Sequence, residues 1–201
     1  MLDRAIQTAI QPLLTRAARQ LVAAGIGADA ITITGFVLGM AAAGAIVLQA
    51  YGVGLALLLL SRLMDGLDGA VARATQPTDR GGFLDITLDF LFYASIPLAF
   101  ALAHPAQNAL PAAVLLAAFI GTASSFLAFA IVAEKHRMAS TAFPDKSFYF
   151  LGGLTEATET IIAFAAMCLW PAAFAPIAYG FAVLCAITIA MRIGWGWQRF
   201  R

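Results

Sequence analysis

Charge is what this chain has least of. Only 11% of its 201 residues are Asp, Glu, Lys or Arg, against 62% hydrophobic residues, and its mean hydropathy is +0.87. Ordinary soluble domains carry about 25% charged residues, so the composition excludes that class and points to an integral membrane protein. Cysteine is scarce as well: Cys168 and Cys185 lie in apolar runs and make neither a metal spacing nor a redox pair. A net charge of +1 argues against nucleic acid as a partner. The polar–apolar alternation of a β-barrel is missing, which leaves helices as the way to satisfy backbone polar groups in lipid. No linker, repeat or low-complexity tract divides residues 1–201, and the chain reads as one domain.

Apolar stretches long enough to cross about 30 Å of hydrocarbon fall at 31–50, 52–74, 82–103, 109–133, 148–170 and 173–193. The expected fold class is an all-α integral membrane protein, with a bundle of six transmembrane helices over 28–194. An N-terminal interfacial amphipathic helix is expected before it, over 1–24. There Leu2, Ile6, Ile10, Leu13, Leu14, Ala17 and Leu21 recur at helical spacing among arginines and glutamines. Asp3 and the scattered arginines do not suit a cleaved signal peptide.

Lysine and arginine are missing from the turns near 50–52, 103–108 and 170–174, whereas Arg16, Arg19, Arg73, Arg80, Lys135, Arg137, Lys146, Arg192, Arg199 and Arg201 lie at the opposite helix ends. The positive-inside rule places both termini, and the turn between the second and third spans, in the cytoplasm. The basic rim suits membrane lipid with anionic headgroups.

Into this apolar chain Asp65, Asp68, Asp85 and Asp89 are set within the 25 residues DGLDGAVARATQPTDRGGFLDITLD. An ionised carboxylate in a span costs several kcal/mol unless it is paired, hydrated or bound to a cation. Asp65 and Asp68, three apart, share a helix face with Gly69 and Ala72; Asp85 and Asp89, four apart, share a face of the next helix. With the turn centred near Thr78, antiparallel packing brings the two pairs level, roughly 10 to 15 Å in from the helix ends. Such an oxygen-rich group suits Mg²⁺ or Mn²⁺, including a pair of bridged ions.

The window resembles the signature of the CDP-alcohol phosphatidyltransferases, D-x2-D-G-x2-A-R-x8-G-x3-D-x3-D, with Asp65, Asp68, Gly69, Ala72, Arg73, Gly81, Asp85 and Asp89 at its fixed positions. Gly81 keeps the step to Asp85 but leaves seven residues after Arg73, whereas Gly82 restores eight and shortens that step; which glycine approaches the nucleotide stays open. The resemblance implies transfer of a substituted phosphate from a CDP-linked donor to an alcohol, with release of CMP. It implies Asp65, Asp68, Asp85 and Asp89 as ligands of two ions, Asp89 also as general base, and Gly69, Ala72 and Arg73 as part of the nucleotide seat. It further implies a homodimer in a bacterial inner membrane. Where family members often carry Pro-Asn before a threonine, this chain has Ala28 and Asp29; Asp29 reads as a helix cap and Thr32 as a nucleotide contact.

A site at the membrane boundary favours CDP-diacylglycerol as donor and a small polar alcohol as acceptor; the alternative is a soluble CDP-alcohol such as CDP-ethanolamine with diacylglycerol as acceptor. Two readings of Glu156 and Glu159 stand side by side: they line the acceptor pocket, or they balance Arg62, with the fifth helix starting near Ser147. Lys135, Arg137 and Lys146 are candidates for a phosphate on the acceptor, although topology alone also explains basic residues there. His104 and His136 receive no role. A divalent-ion transporter is the competing class, but it needs polar residues onward to the outer face, and the spans continue as GVGLALLLL and FLFYASIPLAF.

Overall fold

The computed structural model describes residues 2–136 and 155–200, so Arg137 and Lys146 lie outside the described residues. Among those residues every element is helical: α1 (Leu2–Ala23), α2 (Ala28–Val47), α3 (Tyr51–Ala74), α4 (Asp79–Ala103), α5 (Pro105–Lys135), α6 (Ala157–Leu169) and α7 (Phe174–Arg199), with a 3-10 turn at Pro171–Ala173 before α7. The links at 48–50, at His104 and at 170–173 fall on the three turns that lack lysine and arginine.

Four stretches are long and apolar enough to cross a membrane: α2, α4, α5 and Pro171–Arg199. Helix α3 is as long, but it carries Arg62, Asp65, Asp68 and Arg73, and this charge sets it apart from the others. Helix α6 has 13 described residues, short of the roughly 20 a span needs. Its expected start near Ser147 lies outside the described residues. Glu156 is extended at φ −104° and ψ −175° and is the N-cap of α6, whose first residue is Ala157.

Helix α1 does more than carry an apolar stripe. Leu14, Ala17, Ala18, Leu21 and Val22 pack on Ile31, Met64, Leu67, Ala70 and Val71, while Ile10 and Leu13 on its other side stay exposed. Leu14 rests on Gly66, where a Cβ would come within 3.3 Å of its Cδ1. The helix ends in a Schellman turn: Ile26 N–H donates to Leu21 O and Gly25 N–H to Val22 O, with Gly25 at φ +77°. A side chain at that φ would be strained, which explains the glycine.

Helices α2 and α3 form a tight antiparallel pair. A Cβ on Gly35 would lie 3.0 Å from Met64 Cβ, and one on Gly39 would run into the Phe92 ring. In lipid the hydrophobic effect does not drive helices together, so small residues that permit close van der Waals contact take its place. Ser61 reinforces the contact by donating to Gly35 O at 2.7 Å. Helices α5 and α7 repeat the device at Gly121, which faces Ile189. This puts at least one of the small residues of α5 to use within the chain.

The apolar core lies toward the turns at 48–50, His104 and 170–173. Phe100 stacks on Phe174 at 4.7 Å between centroids, and Phe92, Phe119 and Phe164 meet edge to face. Phe92, fully buried, is both a member of that core and the floor of the polar site.

Candidate active site

Two helices bring the acids together. The carboxylates of Asp65 and Asp68 on α3 and Asp85 on α4 each offer an oxygen within 4.8 Å of the others. Like charges this close repel strongly in a low dielectric, so the arrangement calls for a cation. Three hard oxygen donors converging on one point suit Mg²⁺ or Mn²⁺ better than a soft metal. The cavity that they share with Thr32, Gly35, Arg62 and Asp89 measures ≈ 10 Å³, about the space of one water. It has room for one ion.

Asp68 is buried at 5% exposure, and Thr32 of α2 donates its hydroxyl to Asp68 Oδ2 at 2.6 Å. The same hydroxyl lies 3.1 Å from Ala28 O. A threonine has one proton, and the shorter, charge-assisted bond to the carboxylate is the stronger claim on it. Thr32 thus touches the metal-type cluster itself.

Asp89 stands apart from the three. Its Oδ1 accepts from Arg62 Nη1 at 2.6 Å, and the same nitrogen lies 3.4 Å from Asp65 Oδ1. Asp65 and Asp89 are therefore level, one turn deeper than Asp68 and Asp85, as the spacing predicts. The Arg62 side chain, 8% exposed, lies flat on Phe92 with its guanidinium carbon 3.8 Å from the ring centre, and its Nη2 donates to Ser61 Oγ at 3.2 Å. The partner of Arg62 is thus a pair of aspartates, and the proposed pairing with Glu156 and Glu159 is corrected. The i, i+3 spacing of Arg62 and Asp65 was the signal for it.

Outward from the cavity lie the other motif residues. Arg73 folds back over its own helix, so that a Cβ on Gly69 would lie 3.2 Å from Nη1. At the start of α4, Thr78 is the N-cap, accepting from Gly81 N–H at 3.0 Å, while Gly82 N–H donates to Thr78 O. A Cβ on Gly81 would meet Thr78 Oγ1 at 3.1 Å and Asp29 Oδ1 at 3.2 Å. A side chain at Gly81 would therefore crowd both Thr78 and Asp29. Asp29 does not cap α2, whose N-cap is Gly27; it lies in the first turn and pairs with Arg80, tying α2 to α4 beside the site.

Glu156 and Glu159 form a capping box at the start of α6, each carboxylate accepting a backbone N–H of the other's residue. They face α7: Thr155 bonds Thr188 Oγ1 at 3.0 Å, and Glu156 is near enough for its charge to act on Arg192. Buried Arg192 donates to Thr122 O at 3.0 Å. Sequence reasoning gave Arg192 only a topological role, because its partners lie on α5 and α6, far along the chain. Lys135 is exposed at the end of α5.

Apolar helices long enough to cross a membrane, joined to a converging group of carboxylates, define a membrane protein with a candidate metal centre. The chain belongs to the CDP-alcohol phosphatidyltransferase family, which it matches over residues 26–193. It is a phospholipid-biosynthetic transferase and an integral membrane protein. It is 52% identical over 197 residues, 98% of this chain and 96% of the relative, to the inner membrane protein YnjF of Escherichia coli (strain K12). It is also 51% identical over 65 residues to the archaetidylinositol phosphate synthase of Methanothermobacter thermautotrophicus, covering 32% of this chain and 33% of that one. With the Pyrococcus horikoshii enzyme of the same name the figures are 37% over 98 residues, 48% and 52%. The fold is similar to that of Mycobacterium tuberculosis phosphatidylinositol phosphate synthase (PgsA1) with CDP-DAG bound, at TM-score 0.72 and 22% identity over 91% of this chain and 92% of that one. The same enzyme in complex with manganese and citrate gives TM-score 0.72 and 22% identity over 92% and 88%.

Proposed function

We propose that this protein transfers a phosphatidyl group from CDP-diacylglycerol to a small polar alcohol and releases CMP, at the cytoplasmic face of a bacterial inner membrane. The observation that carries the reading is the convergence of Asp65, Asp68 and Asp85 within 4.8 Å at one end of otherwise apolar helices. A donor with its tails in hydrocarbon and its pyrophosphate at that end meets an acceptor arriving from water. Six spans with both termini cytoplasmic, α1 lying in the interface with Ile10 and Leu13 toward lipid, one domain and a homodimer belong to the same reading.

Asp65, Asp68 and Asp85 would hold the first of two Mg²⁺ or Mn²⁺ ions, and Asp89 completes the set. Bound there, the metal neutralises the pyrophosphate and stabilises negative charge on the departing CMP. Thr32 fixes the Asp68 carboxylate through its hydroxyl. Gly69, Ala72, Arg73, Gly81 and Gly82 form the wider mouth, where the nucleotide lies over residues without bulk and Arg73 donates to phosphate. Asp89 takes the proton of the acceptor hydroxyl as its oxygen bonds to the phosphatidyl phosphorus and the bond to CMP breaks.

Acceptor binding falls to Glu156, Glu159, Lys135, Arg137 and Lys146 in this reading, the glutamates as acidic partners for hydroxyls or an amine. Glu159→Gln separates this role from capping, because glutamine also completes a capping box. An acceptor KM raised roughly 5- to 20-fold with unchanged thermal stability is expected; an unchanged KM removes Glu159 from the pocket.

The test of the whole reading is CMP release by purified protein with CDP-diacylglycerol and Mn²⁺ or Mg²⁺, with glycerol 3-phosphate, serine, inositol phosphate and ethanolamine offered separately. Metal-dependent release with one of them identifies the acceptor. Release only when a CDP-alcohol and diacylglycerol are supplied overturns the donor assignment.

A further inference from the structure

Arg62 is not part of the family signature quoted above, yet its side chain is held from several sides. Its guanidinium has Phe92 beneath it, Ser61 Oγ at 3.2 Å on Nη2, and Asp89 at 2.6 Å with Asp65 at 3.4 Å on Nη1. Ser61 in turn donates to the backbone of α2 at Gly35. The result is a fixed positive charge among carboxylates, anchored to α2, α3 and α4 together. Its Nε has no hydrogen-bond partner among the described residues, so the group is kept there at a cost in desolvation.

We propose that Arg62 is a positioning residue that holds Asp89 in reserve. The first divalent ion binds Asp65, Asp68 and Asp85, and a second ion has to compete with the guanidinium for the Asp89 carboxylate. This rests on the metal-dependent reading given above. The argument is electrostatic. Asp89 accepts a short charged bond through Oδ1 and lies outside the group of three whose oxygens converge, so the protein has already supplied it with a cation. A fixed +1 charge in contact with that carboxylate opposes a further +2 charge there. Two ions of unequal affinity follow, with the second tied to a shift of Asp89 away from Arg62.

The test is a titration of the detergent-purified protein with Mn²⁺, free ion being read by electron paramagnetic resonance, for wild type, Arg62→Met, Arg62→Lys and Asp89→Asn. Wild type should bind one ion at least ~10-fold more tightly than a second. Arg62→Met should tighten the second site at least ~10-fold while CMP release falls, and Asp89→Asn should abolish the second site and retain the first. Partial unfolding cannot produce a gain in affinity, so this readout separates positioning from mere support. Should Arg62→Met not be recovered folded, Arg62→Lys, whose shorter arm loosens the hold on Asp89, should still tighten the second site about threefold. Two equal sites in wild type, or a second site indifferent to both Arg62 variants, would overturn the inference while leaving the metal assignment intact. No Mn²⁺ bound by wild type would overturn both.

Discussion

Two arginine side chains are enclosed at the same end of the bundle, and they are held in contrasting ways. Arg62 meets carboxylates directly, at 2.6 and 3.4 Å, on an aromatic floor. Arg192 donates to the neutral carbonyl of Thr122, with the Phe126 ring centre 5.7 Å away and Glu156 acting on it by charge. The first arginine and its acids form one electrostatic unit, in which removal of either sign exposes the other. The second joins α7 to α5 through the backbone carbonyl of Thr122, so its loss costs a hydrogen bond between two helices. The α2–α4 side of the molecule is thus organised around charge, and the α5–α7 side around packing with polar fastenings.

The largest expected effect concerns whether the α2–α4 cluster is the reacting centre at all. Asp68→Asn removes one of three converging oxygen ligands and should lower CMP release by roughly 10²- to 10³-fold, with the protein still inserted in membranes. Activity within a factor of two of wild type would break the comparison, because the charged side would then be structural.

Next come the arginines themselves. In metal-free protein, Arg62→Leu should destabilise by about 2–3 kcal/mol, less than for a fully buried pair because Asp89 retains partial exposure, and Arg192→Leu by about 1–2 kcal/mol. Thermal unfolding in detergent measures both. The sharper contrast is with added Mn²⁺, which should recover the stability of the Arg62 variant and leave that of the Arg192 variant where it was. The smallest effect is at Thr32. Thr32→Val keeps shape and removes the bond to Asp68, worth about 1 kcal/mol, and so should weaken Mn²⁺ binding about 5-fold.

The acids were legible in the sequence because charge at helical spacing is conspicuous in an apolar chain, and because a tight turn fixes which positions of α3 and α4 face each other. Asp65, Asp68 and Asp85 converge as the spacing implies, and the links at 48–50, His104 and 170–173 fall where basic residues are missing. Thr32 could be placed beside the window only by resemblance, since its contact with Asp68 spans 36 positions in the chain. The partners of Arg192 were invisible for the same reason. Glu156 and Glu159 were read as one helix face because a pair three apart reads equally as a face and as a capping box; only the extended backbone of Glu156 decides it. Asp29 was read as a cap from local sequence, whereas its partner, Arg80, lies two helices away.

Gly35 has a mechanical meaning for the site. With a would-be Cβ only 3.0 Å from Met64 Cβ, and Ser61 bonded to its carbonyl, α2 and α3 already stand at backbone contact directly below Thr32 and Asp68. Interiors packed to this density compress little. The helix pair acts as a hard stop: lateral pressure from a thicker or more crowded bilayer cannot drive α2 further onto α3, so the spacing of Thr32 from Asp68 is set by the two backbones and not by the surrounding lipid.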